Sequence, residues 1–193
     1  ALAAQAPSPE RPEALGVSAL PTALESQHLS ALPIGEGRSK FEVEVTLESC
    51  KGLLSLGPEL EGMGLAFWFS YELFGMVLQT DRFSSLAAPN LSVTTDTFRL
   101  AGSLHELEMV LRQSAPLAIF LCSDQIVLAA AQLSFPEVGS ERSPAGSLAA
   151  STTVSAALAP QRLGALAGAA FLRVRIQLRS EGPVEEGEPC ADL

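Results

Sequence analysis

Apolar and polar positions alternate with a period of two along most of the middle of the chain. Between Phe41 and Glu48 the apolar residues stand at 41, 43, 45 and 47 and the polar ones at 42, 44, 46 and 48. Successive side chains of a strand point to opposite faces, so this spacing predicts a half-buried strand. Leu65 to Leu73, with Phe67, Trp68, Phe69 and Tyr71, is the aromatic centre of the chain. The Phe74-Gly75 step supplies a tight connection to Met76 to Thr80, and the two runs predict a hairpin. Alternation returns from Leu91 to Leu100 through Val93, Thr95 and Thr97. It is clearest in Phe171 to Arg179, where Leu172, Val174, Ile176 and Leu178 face one way and Arg173, Arg175, Gln177 and Arg179 the other.

The period changes once. Ser103 and Glu106 have capping-box spacing, and Leu104, Leu107 and Leu111 follow on one helical stripe, which predicts a short helix. Pro116 blocks its continuation. Leu117 to Cys122 and Ile126 to Leu133 then read as two apolar, centrally placed strands around the turn Ser123-Asp124-Gln125. A Ser-, Gly- and Pro-rich linker, Pro136 to Gly146, precedes a weaker strand from Leu148 to Leu158, and Pro160 to Gly168 reads as a second loop. These elements predict an all-β fold, an antiparallel eight-stranded β-sandwich with one short helix, over residues 40–180.

Charge locates the ends. The chain has 193 residues and a formal charge of −10. Residues 1–39 carry five prolines and no aromatic side chain, and read as a disordered or loosely docked arm. Residues 181–193, EGPVEEGEPCADL, read as a solvated acidic tail. The acidic excess argues against nucleic acid and anionic lipid as main partners. Cys50, Cys122 and Cys190 show no C-x-x-C spacing, which fits free thiols in a reducing compartment. The longest nearly apolar run, Leu163 to Leu172, is half what a membrane span needs. Ala1 and the Pro-punctuated start read as a fragment of a longer protein without a signal peptide.

Catalytic chemistry has few candidates. A nucleophilic triad needs a histidine beside both nucleophile and carboxylate, and the chain offers only His28, in the arm, and His105, on the helix. No zinc-ligand spacing occurs, and Gly35 to Lys40 lacks the spacing of a phosphate loop and reads as a linker. The four aspartates, Asp81, Asp96, Asp124 and Asp192, are scattered, whereas calcium needs six to eight converging oxygens. The Asn90-Leu91-Ser92 sequon, Ser8-Pro9, Ser143-Pro144 and the P-x-x-P at Pro9 to Pro12 read as ordinary loop sequence. The expectation is a non-enzymatic domain with no metal or cofactor.

The most pointed feature left is Arg173, Arg175 and Arg179, a basic ridge on an acidic chain. One reading makes it a docking surface for an acidic partner. The preferred reading pairs the last strand with the first, so that Glu42, Glu44 and Glu48 neutralise the arginines.

The run FWFSYELFGMVLQTDRF, Phe67 to Phe83, with Ala88-Pro89-Asn90-Leu91, resembles the middle C2 domain of the centrosomal protein 120 family. The similarity continues through Gly102 to Glu108 and into PLAIFLCSD, Pro116 to Asp124, and covers about residues 40–180. Phe74-Gly75 and Leu121-Cys122 are its most specific points. The resemblance implies a C2 domain within a cytoplasmic, cytoskeletal protein of the centriole and centrosome. Such a protein supports centriole duplication, elongation and cilium assembly, with other centriolar proteins as partners. C2 domains that bind calcium hold it with aspartates at one end of the sandwich; here Ser49 to Gly64 has none and Ser123 to Gln125 offers Asp124 alone. The implied function is therefore a calcium-independent protein-interaction module. The alternative is a peripheral phospholipid-binding C2 domain, with Leu53, Leu54 and Leu56 as apolar loop tips and the ridge meeting headgroups.

Overall fold

Phe41, Val43, Val45 and Leu47 are each at most 1% exposed, so the alternation that opens the folded region becomes one buried and one outward face. The computed structural model describes residues 31–124, 126–138, 146–161 and 170–184. In chain order its strands are β1 (Leu32–Pro33), β2 (Ser39–Lys51), β3 (Phe67–Leu73), β4 (Met76–Gln79), β5 (Thr94–Gly102), β6 (Leu117–Ser123), β7 (Ile126–Leu133), β8 (Ser147–Ala157), β9 (Ala159–Pro160) and β10 (Phe171–Pro183). Helix α1 (Leu104–Gln113) lies between β5 and β6. Two five-stranded sheets result, in the orders β1-β5-β2-β10-β8 and β4-β3-β6-β7-β9.

The sheets pack through their apolar phases. Val174, Ile176 and Leu178 of β10 face Phe67, Phe69, Tyr71, Ile119 and Leu121 across the interior, all nearly inaccessible. Each such side chain contributes about 1.5–3 kcal/mol by leaving water. The Tyr71 hydroxyl donates to Asp96 at 2.5 Å, and burial, with the Asp96 carboxylate, pushes its ionisation far above the ordinary phenol range. Ser103 and Glu106 form the capping box that starts α1, and Leu104, Leu107 and Leu111 of its stripe are buried.

Phe74 and Gly75 both adopt positive φ, 51° and 74°, as a two-residue turn matching the twist of a hairpin requires. The non-glycine member is held by its ring, which stands edge-on to Phe98 at 5.3 Å.

The described residues contain ten strands rather than eight. The two additions are β1 and β9, of two residues each and each ending in a proline, too short for any alternation to show. β1 joins β5 in parallel, so the sandwich is not wholly antiparallel. Of the arm, residues 31–39 are described: besides β1, the Ile34 amide donates to Ala101 at 2.8 Å. The β10 strand runs to Pro183, two residues past the expected start of the tail. His28, Cys190, Asp192, Ser8-Pro9, Pro9 to Pro12 and Ser143-Pro144 lie outside the described residues.

Candidate functional site

The arginine ridge sits where strand pairing puts it. β10 pairs antiparallel with β2 on one side and β8 on the other, and β2 pairs in turn with β5. Arg173, Arg175 and Arg179 project from the outward phase of β10. Opposite them β2 carries Glu42, Glu44 and Glu48 on its own outward phase.

A bulge between Arg173 and Val174 slips the register, so that Arg173 faces Ser49 while Val174 faces Leu47. Glu48 is the extra residue, and it sits between two guanidinium groups: Oε2 is 2.8 Å from Arg173 Nε and Oε1 is 3.5 Å from Arg175 Nε. Arg179 donates from Nη2 to Glu44 Oε2 at 2.6 Å, and Arg99 of β5 approaches Glu42 at 3.9 Å. Two carboxylates therefore serve three guanidiniums on β10. The Arg175 Nε makes no hydrogen bond within the described residues.

The whole outward face of this sheet is rich in base. Lys40, Lys51, Arg99, Arg173, Arg175 and Arg179 stand on its strands, half of the chain's 12 basic residues, against Glu42, Glu44, Glu48 and Glu181. On the far side of β10, β8 presents Ala149, Thr153 and Ser155 beside Arg179, Arg175 and Arg173 and carries no charge. Exposed pairs of this kind contribute only about 0–1 kcal/mol, so their structural effect is to favour one register.

The remaining sequence candidates do not converge. His105 is exposed on α1. Asp81 and Asp124 are exposed, Asp96 is engaged by Tyr71, and among the described residues no three His, Cys, Asp or Glu side chains are grouped to hold a metal ion. Cys50 and Cys122 are free thiols; burial pushes Cys50 up to about 11 and raises Cys122, which disfavours the thiolate in both. Asn90 is exposed in the loop before β5. An open cleft of about 380 Å³ beside it has Arg82 as its one charged lining residue, and that guanidinium lies over the Trp68 ring at 4.7 Å. No helix among the described residues is long and apolar enough to cross a membrane.

The expected apolar loop tip is corrected. Leu53 to Leu56 is a single 3-10 turn, whose three-residue period puts Leu53 and Leu56 on one side, and both are buried. Leu54 alone of the three is exposed.

Among the polar contacts that sequence reasoning missed, one ties residues 36 and 37 to the helix. Glu106 reaches beyond its capping box: Oε1 accepts the Glu36 amide at 2.9 Å, and Oε2 accepts those of Ser103 at 2.6 Å and Gly37 at 3.3 Å. These donors, Ser103 first, lower its ionisation to about 2. The signal was present in the glycines of the segment read as a linker. A Cβ at Gly35 would lie 1.9 Å from the Glu106 carboxyl carbon, and one at Gly37 would lie 2.1 Å from the Ser103 amide nitrogen.

Among solved structures, a C2 domain-containing protein of an elicitor-responsive gene is similar at a TM-score of 0.39 and 9% identity, covering 81% of this chain and 96% of that one. No curated protein matches the chain. A family profile described as Cep120 protein matches residues 26–167, which takes in β1 to β9 and stops short of β10, and the chain belongs to that family.

Proposed function

We propose that this chain is a calcium-independent C2 domain that positions a centriolar protein through protein contacts, in support of centriole duplication, elongation and cilium assembly. Membership of the Cep120 family carries the reading. Two features of the chain favour protein contact over the membrane docking that calcium drives in other C2 domains. Among the described residues Glu48, Glu61, Asp96 and Glu106 are engaged by guanidiniums, amides and hydroxyls, and no three His, Cys, Asp or Glu side chains are grouped to hold a metal ion. Of the leucines at the expected membrane-facing tip, two are in the core.

Proximity labelling tests the reading. The chain fused to a biotin ligase should label centriolar proteins above a ligase-only background, to the same extent with calcium supplied or chelated. Recovery at background level would overturn the interaction role. A melting temperature that rises on adding calcium would overturn the calcium independence.

A further inference from the structure

Every sheet of an open sandwich ends in strands whose outer amides and carbonyls face solvent, and proteins normally blunt such edges with shortness, proline, charge or a bulge. Three of the four edges here follow that practice. β1 and β9 have two residues and a proline each, and β4 has four residues. The stretch of β5 that β1 leaves uncovered contains Asp96, turned inward to Tyr71, and Arg99. β8 differs. Its 11 residues, SLAASTTVSAA, include no proline and no charge, and their pairing with β10 runs in register without a bulge from Ala149 to Ala157. Among the described residues β10 is the one strand that β8 pairs with.

We infer that the edge of β8 left unpaired among the described residues takes up an extended segment of a partner protein as an added strand, and that the segment carries Asp or Glu on the alternate positions facing the side of the arginine ridge. The inference rests on the interaction-module reading and names the surface and the chemistry of its partner. Backbone pairing supplies the attachment, as in other cases of strand addition. Charge chooses the occupant. An added strand lies about 10 Å from β10, two strand spacings away. The residues between on the outward phase are Ala149, Ser151, Thr153, Ser155 and Ala157, all exposed and small, so long arginine stems can pass over them. Arg175 is the group best placed to turn, since its Nε, though buried, makes no hydrogen bond among the described residues and it shares Glu48 with Arg173. A second copy of the chain is the poorer occupant. Antiparallel β8 strands would set two arginine ridges on one continuous sheet surface, like charge beside like charge.

The test uses the whole 193-residue chain and a fluorescein-labelled peptide of alternating Glu and Val. The same peptide with Lys for Glu, and the acidic peptide with Pro for every Val, serve as controls. Anisotropy should show saturable binding of the acidic peptide alone, and amide exchange should slow within residues 147–157. Arg175→Glu should weaken binding at least about tenfold. Ser151→Glu with Ser155→Glu should do the same, and Arg175→Gln, which retains a neutral side chain, should fall between. Equal binding of the Lys peptide, protection mapped to another strand, or indifference to both charge variants would overturn the inference. So would sedimentation with phosphatidylserine vesicles that the peptide does not compete away, which would assign the ridge to lipid headgroups. If the Ser151→Glu, Ser155→Glu chain labels centriolar proteins as well as the unaltered chain does, the β8 role fails while the interaction-module reading stands. If neither chain labels them above background, the module reading itself fails.

Discussion

The two sheets bury the same kind of face and expose opposite kinds. Strands β1, β2, β5, β8 and β10 carry six basic residues and five acidic ones, counting the inward Asp96, whereas β3, β4, β6, β7 and β9 carry one charge in all, Glu72. The outer surface of the second sheet instead sets Trp68, Phe120, Cys122, Val127, Ala130 and Val77 among Ser70, Glu72, Gln79 and Gln132, and Phe120, Val127 and Val77 are well exposed. Salt bridges therefore help set register on one sheet. On the other, register rests on the turns, the aromatic side chains and the interior. An amphipathic pattern with charges in its polar phase and one with small or apolar residues there fold into the same layer, but they leave surfaces of different use.

The most damaging way to probe that difference is a pair of neighbours on β3 that point to opposite sides. Phe69 is wholly buried between the sheets and its ring stands 6.1 Å from Phe83. Phe69→Ala should destabilise the fold by about 3–5 kcal/mol, through lost transfer and the cavity left behind, read as a lowered urea midpoint. Trp68 is 7% exposed but lies on the outer side, capped by Arg82. Trp68→Ala should cost about 2 kcal/mol, because what it loses is surface burial without an enclosed cavity. Equal costs would mean that the outer surface of this sheet is a second core, and the contrast drawn above would fail.

The contrast also explains which parts of the fold were legible. β2 and β10 announced themselves because Glu and Arg fill their polar phase, and the same charges gave away their adjacency. β6 and β7 read as apolar, centrally placed strands. They are interior strands in the sheet order, yet Phe120 and Val127 on their outer phase are exposed, since nothing in a run of apolar residues distinguishes the covered phase from the open one. β1 and β9 were invisible for want of length. The Glu106 clasp joins residues about 70 positions apart, and no local pattern encodes such a contact; only the need for glycine at Gly35 and Gly37 marks it.

That clasp gives an effect of middle size with a definite pH window. Because its amide donors hold the Glu106 carboxyl at about 2 against an ordinary 4.5, folding favours the charged form. The stabilisation is then complete above about pH 4.5 and is lost as pH falls towards 2. Comparing urea midpoints of the unaltered chain and Glu106→Gln should show a constant advantage for the former from neutrality down to that range, shrinking towards zero at the acid end. An advantage that persists undiminished at the acid end would show that the carboxylate charge does not hold residues 35–37. Glu61, which accepts from Ser85 and Leu86 and is likewise lowered, acts on a separate loop and is present in both chains, so its contribution cancels in the difference.

The smallest effect concerns the ridge itself. Arg179 and Glu44 make the shortest of its pairs, but the arginine is half exposed, with 52% of its side chain open to solvent. Screening by water and the entropy of holding two long side chains reduce such a pair to about 0.2–1 kcal/mol. A double-mutant cycle of Arg179→Ala and Glu44→Ala should give a coupling energy in that range, falling further as salt is added. Charge reversal at Glu44 alone should shift the melting temperature by only a few degrees, because the interior phase of β2 that fixes the strand is untouched. A coupling well above 1 kcal/mol would mean that the ridge acts as a structural clamp. Its arginines would then be held too firmly to turn outward over β8, and the electrostatic half of the strand-addition argument would lose its footing with the fold intact.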